Sequence, residues 1–159
     1  NAAYEDLTRE VFLVDDLWTV SSEDYCDFLA SARTPCLVEI LQAEEAAADE
    51  AAMTAFALVY DSSADWVDKA PHLEGSDSLE SSNESYMNGA SMMGGISLVP
   101  KSAVVEGEIA TITYDVMFGE NAAYEDLTRE VFLVDDLWTV SSEDYCDFLA
   151  SARTPCLVE

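Results

Sequence analysis

The chain has 159 residues, half of them hydrophobic, with 33 Asp and Glu against six Lys and Arg and a formal net charge of −27. That apolar fraction argues against a disordered chain, and the charge argues against nucleic acid and anionic membrane surfaces, both of which are bound through Lys and Arg. No run approaches the roughly 18 apolar residues of a membrane-spanning helix.

The first element is also the last. Residues 1–39 recur letter for letter as residues 121–159, so the period is 120 residues and the window holds one complete repeat and about a third of the next. Repeat units of roughly 20–50 residues cannot fold alone, whereas a unit this long lies in the range of an independent domain. The chain therefore reads as a window from a longer tandem polymer of domains. Each copy of the duplicated segment holds nine acids and two bases, and setting one copy aside leaves −20 for one period. Such charge keeps identical neighbours apart, and identical neighbours are otherwise prone to misassembly.

Within the duplicated segment, residues 11–14 and 17–20 are short apolar runs around Asp15-Asp16, copied at 131–134 and 137–140. Val, Phe, Trp and Thr dominate them, which favours strands over a buried helix. Ser22 opens a short helix, with Glu23 and Asp24 at its positive end and Tyr25, Phe28 and Leu29 on one face. Cys26 and Cys36 follow, with Cys146 and Cys156 as their copies. Four cysteines allow three pairings, and the repeat favours the local one, in which each unit closes its own bridge. Buried free thiols and a cross-link between chains are the alternatives.

Residues 43–53 (AEEAAADEAAM) have the highest helix propensity in the chain. Residues 54–60 (TAFALVY) either continue that helix or turn into a strand, and residues 61–64 end it. Residues 73–91 form a polar stretch rich in Ser, Glu and Asn, inside which Asn83-Glu84-Ser85 matches the N-glycosylation pattern. Paired cysteines and this acceptor both point to the outside of the cell. Gly94-Gly95 is the expected boundary, with residues 1–94 the later part of one repeat and 95–159 the beginning of the next. Cut this way, each part lacks strands that a neighbouring copy would supply by strand complementation.

Residues 96–105 (ISLVPKSAVV) read as an edge strand, because Pro100 cannot donate to a ladder. Glu106-Gly107 turns the chain into residues 109–118 (IATITYDVMF). There Ala110, Ile112, Tyr114, Val116 and Phe118 alternate with polar residues, the pattern of a half-buried antiparallel strand.

The run Ile96-Ser97-Leu98-Val99-Pro100, then Val105-Glu106-Gly107-Glu108, then Ala110-Thr111-Ile112-Thr113-Tyr114 resembles the opening two strands of immunoglobulin-like repeats in surface adhesins. The resemblance covers about 20 of 120 residues. It implies a mainly β chain, an immunoglobulin-like β-sandwich with its termini at opposite ends, of the kind that builds long surface stalks. The Ala- and Glu-rich segment at residues 40–60 departs from that pattern and adds a helical segment, which makes a mixed α+β domain the alternative.

Catalysis finds little to use. The single histidine, His72, has no nucleophile at a spacing that would make a triad or dyad. Neither a phosphate loop nor an HExxH or CxxC motif is present. No cofactor is expected; calcium is the alternative, with Glu125-Asp126, Asp135-Asp136, Glu143-Asp144 and the trio Asp61, Asp65 and Asp68 as candidate oxygen donors, although none forms an EF-hand loop. In so acidic a chain these clusters also arise as solvated surface. Trp18, Trp66, Tyr25 and Tyr60 are expected in the core. The sequence thus points to a non-enzymatic structural subunit of an extracellular fibre, stalk or surface filament whose partners are neighbouring copies of the same repeat. A multivalent adhesin for sugar, mineral or cation is the alternative, and a polyprotein of ligand-carrying units with an apolar pocket comes third.

Overall fold

The computed structural model describes residues 11–14, 17–20 and 37–156, and the side chains of residues 44–156. Its contacts divide the chain into two compact units, Asn1–Glu45 and Ala46–Glu159. The first contains a hairpin of β1 (Val11–Val14) and β2 (Leu17–Val20). Helix α1 (Leu37–Tyr60) contributes its residues from Ala46 onward to the second unit. That unit continues with a single turn, α2 (Trp66–Lys69), two 3-10 turns, and α3 (Glu80–Ser91). Four strands follow, β3 (Ile96–Glu106), β4 (Ile109–Phe118), β5 (Asn121–Val134) and β6 (Leu137–Thr139), and then α4 (Ser142–Ser151). Gly94 and Gly95, expected as the junction between copies, lie inside this unit. Both take positive φ in the turn from α3 into β3, a conformation open to glycine without strain.

The strands form one antiparallel sheet in the order β3-β4-β5-β6. Its inner face carries Leu98, Ala110, Ile112, Tyr114 and Val131, all buried, so the alternation read from residues 109–118 is the one the fold uses. The architecture is a curled antiparallel sheet with helices, of the α+β kind. Within the unit Ala46–Glu159 the described residues form this one sheet, covered by helices, and the expected immunoglobulin-like sandwich is not shown. Helix α1 supplies much of the cover: Ala52, Ala55, Phe56, Val59 and Tyr60 are buried at i, i+3, i+4, i+7 and i+8, one apolar helical stripe. Residues 54–60 thus continue the helix.

The polar stretch folds as well. Helix α3 buries Ser82, Asn83, Tyr86 and Ala90 along one face, and Tyr86 stacks edge-on against Phe148 of α4. Helix α4 buries Tyr145, Phe148 and Leu149, as expected for the copy of Tyr25, Phe28 and Leu29. Its cap is Ser141, one residue earlier than the equivalent of Ser22, and the hydroxyl accepts from the Asp144 N–H at 3.1 Å. Asp135 and Asp136, both at positive φ, make the two-residue turn from β5 into β6, whose backbone twist suits a tight hairpin. Among the described residues no helix is long and apolar enough to cross a membrane.

Candidate functional site

Irregularities in three neighbouring strands shape the sheet. The β3–β4 register shifts between Pro100 and Ser102, and the β4–β5 register shifts at Asp115, opposite Glu125 and Asp126. Extra residues in a ladder bend it and increase its twist. The skipped residues meet: Lys101 Nζ lies 2.7 Å from Asp126 Oδ1 and 3.4 Å from Asp115 Oδ1, while the Asp126 N–H donates to Asp115 Oδ1 at 2.9 Å. One ion cluster therefore fastens the bend across β3, β4 and β5.

Beside the bend the sheet and α4 leave a cleft of about 560 Å³. Its apolar wall comes from Ile96, Tyr114, Val116, Phe118, Leu127 and Phe148, and Met93, Tyr124, Ser151 and Ala152 complete the lining with Arg129 and Arg153. Among the described residues no Asp or Glu lines it, although acids outnumber bases more than five to one in the chain. Tyr124 and Leu127 stand 60% and 39% exposed at its mouth, apolar surface that the fold itself leaves uncovered.

The two arginines are held in different ways. Arg129 donates from Nε to the Tyr114 hydroxyl at 3.1 Å and from Nη1 to Asp144 Oδ1 at 2.9 Å and to the Asp144 carbonyl at 3.1 Å. Its guanidinium carbon also lies 5.9 Å from the centre of the Tyr60 ring. Burial opposes its charge, but the Tyr60, Tyr114 and Asp144 oxygens outweigh that and raise its pKa. Arg153 is exposed and its side chain has no partner among the described residues. Its backbone sits at φ +63° just past the end of α4, where the Thr154 N–H reaches back to the Leu149 carbonyl at 2.9 Å. Glycine is the usual residue at such a helix end. An arginine there occupies strained backbone with a free guanidinium at the rim of an apolar cleft.

Cys146 and Cys156 are joined in a disulfide, with Cα atoms 5.3 Å apart, so the local pairing holds in this copy. Cys26 and Cys36 lie outside the described residues. The bridge brackets the turn that carries Ser151, Ala152 and Arg153 and so fixes one lip of the cleft.

A second cluster of polar groups is closed off. Lys69 is fully buried and donates from Nζ to Asn83 Oδ1 at 3.1 Å, with the Tyr86 ring centre at 5.6 Å. The same Asn83 oxygen accepts from the Tyr145 hydroxyl at 2.8 Å, and Asn83 Nδ2 points to Met87 Sδ at 3.1 Å. Burial lowers the Lys69 pKa to about 8, with Asp61 opposing the shift. Asn83 was expected as a glycan acceptor. In this fold it is a fully buried helix residue whose amide is engaged at both ends, which leaves no room for a sugar.

The remaining candidates are scattered. His72 Nδ1 donates to the Trp138 carbonyl at 2.8 Å, beside the bridge that joins Leu73 to Val140. Asp61 accepts from Ser63 in a turn, Asp65 precedes α2 and Asp68 lies within it. Asp126 belongs to the ion cluster at the bend, and Asp144 to the α4 cap and Arg129. Among the described residues no three His, Cys, Asp or Glu side chains gather as a metal site. Trp66 is partly buried against the core, Tyr60 is fully buried, and the side chains of Trp18 and Tyr25 are outside the described set. Sequence reasoning missed the cleft arginines, because the isolated positive charges are separated in the chain and only the fold puts them on one concavity. Protein-family models, curated proteins and solved structures yield no match to the chain.

Proposed function

We propose that the chain is a non-catalytic binding module of an extracellular tandem-repeat protein, whose cleft takes a largely apolar ligand with a carboxylate or similar anionic end. The observation that carries this reading is the composition of the cleft. Its volume lies in the range of small-molecule sites, which are mostly apolar with a few placed polar groups. In a chain of net charge −27 the described lining holds no acid and two arginines, Arg129 paired with Asp144 behind the wall and Arg153 free, so the unpaired charge at the cleft is opposite in sign to the rest of the molecule. Exclusion of acids from one concavity of so acidic a surface fits an anionic ligand and disfavours calcium or a mineral cation there.

The disulfide agrees with an oxidising compartment. Tandem display of identical clefts would multiply a modest affinity into avidity. The stalk or filament reading keeps one observation in its favour, the duplicated 39 residues, and it is compatible with binding because a fibre of such domains presents one cleft per period.

Titration calorimetry of the full chain with a medium-chain alkyl carboxylate and with the alcohol of equal length tests the reading. The carboxylate is expected to bind, with the alcohol about tenfold weaker, the ratio worth about 1.4 kcal/mol. Leu127→Glu, which places an acid at the mouth, should abolish the preference. Failure of both probes to bind, or equal affinity for the two, sinks the proposal.

A further inference from the structure

The 39-residue segment occurs twice, and the second occurrence shows what it is for. As residues 121–156 it supplies β5, β6 and α4, and with them Val131, Trp138, Val140, Tyr145, Phe148 and Leu149, all buried against α1, α3, β3 and β4. Pairing with β4 runs from Ile109↔Phe132 to Phe118↔Asn121, so the segment covers the whole length of that strand. Residues 46–120 are thus an acceptor and the segment is its donor. Residues 1–39 carry the same donor side chains at Val11, Trp18, Val20, Tyr25, Phe28 and Leu29. Their hairpin also has the same register: Leu13↔Trp18 and Val14↔Leu17 repeat Leu133↔Trp138 and Val134↔Leu137.

We infer that the face formed by α1, α3, β3 and β4 accepts either copy, and that residues 1–36 of a second molecule of this chain are the alternative donor. The identity of the two segments makes the exchange neutral in contacts, so tethering decides the outcome. A tethered donor acts at an effective concentration on the order of millimolar, which keeps the chain's own C-terminal copy in place. Loss of that copy opens the acceptor. Helix α1 runs unbroken from Leu37 into the acceptor, and a connection without slack favours exchange between molecules over closure within one. The same relation makes each repeat of a longer polymer a donor to its neighbour, and this inference stands whether or not the cleft binds the proposed ligand.

The test uses the full chain. Val131→Asp puts a charge at a fully buried position of the C-terminal copy, Val11→Asp makes the same change at the matching sequence position of the N-terminal copy, and Ile112→Asp strikes the buried face of the acceptor. V11D is expected to match the wild type. V131D is expected to keep a cooperative urea transition and to sediment as a dimer or larger, while V11D/V131D and I112D lose the transition. Joint refolding of V11D/V131D, which keeps its acceptor, with I112D, which keeps both donors, should restore the transition in the mixture. A V131D chain as unfolded as I112D overturns the interchange, as does a mixture that stays unfolded. A folded V131D monomer overturns the assignment to a second molecule.

Discussion

Two polar regions flank the inner face of the sheet, and they handle positive charge in opposite ways. At the closed one, Lys69 is fully buried and its ammonium shares one amide oxygen with a tyrosine. At the open one, Arg129 is half-buried and paired with Asp144, Arg153 is exposed, and no Asp or Glu is among the described lining residues. The closed cluster uses its cation inside the fold. The open cleft keeps one guanidinium in reserve, that of Arg153 on strained backbone, and a reserve donor on an apolar wall serves a ligand rather than the fold. Disturbing the first should therefore change stability, and disturbing the second should change binding.

The largest effect is expected at Asn83. Asn83→Ala removes the acceptor of both the Lys69 ammonium and the Tyr145 hydroxyl, and stranding a buried cation costs about 3 kcal/mol or more. Chemical denaturation should show that loss, and a change under about 1 kcal/mol would contradict the closed cluster as described. Lys69→Met removes the cation and leaves Tyr145 bonded to Asn83, so it should be tolerated. Its signature is in pH. The folded Lys69 titrates near 8 and the unfolded one near 10.5, so between these values the unfolded chain binds more protons and stability rises with pH. Below about pH 8 both states are protonated and the burial penalty is present in full. Above pH 10 the slope reverses, since burial raises the pKa values of Tyr60, Tyr86 and Tyr145 and the unfolded chain sheds those protons first. Wild type should gain stability from pH 8 to 10 and Lys69→Met should not.

Next in size is the disulfide, which belongs to both regions. Cys146 lies on α4 beside Tyr145 of the closed cluster, and Cys156 ends the turn that carries Arg153. Replacing both cysteines by Ser should lower stability by about 2–3 kcal/mol for a loop closed by residues ten apart in sequence. It should also weaken carboxylate binding, because one lip of the cleft loses its anchor. Unchanged affinity with reduced stability would separate the bridge from the cleft.

What the sequence disclosed follows a physical division. The hairpin at residues 131–140, the α4 face and the alternation of β4 were legible because each is fixed by neighbours a few residues away. The identical register of β1–β2 confirms that locality. Helix α3 was hidden because its buried face is half polar: Ser82 and Asn83 supply no apolar period, and only Lys69 and Tyr145, 14 and 62 residues distant, make Asn83 a core residue. The first half of β5 was hidden for a related reason, since eight exposed residues and the shifts opposite Asp115 erase the alternation. The cleft was illegible throughout, as its two arginines meet its wall only after the sheet has curled.

The smallest and sharpest difference is expected at Arg153. A side chain at φ +63° costs about 1 kcal/mol relative to glycine, so Arg153→Gly should stabilise the domain by roughly that amount. The carbonyls of Leu149 and Ala150 keep their partners, because the Thr154 and Arg153 N–H groups that reach them belong to the backbone. The only free guanidinium at the cleft among the described residues is lost in the same step. Carboxylate and alcohol probes should then bind with nearly equal affinity while the melting temperature rises. A gain in stability bought with selectivity marks a residue kept for its ligand. Stability and selectivity that fall together would mean that Arg153 holds the helix end, and the cleft would then keep no free charge among its described residues, since Arg129 is paired with Asp144.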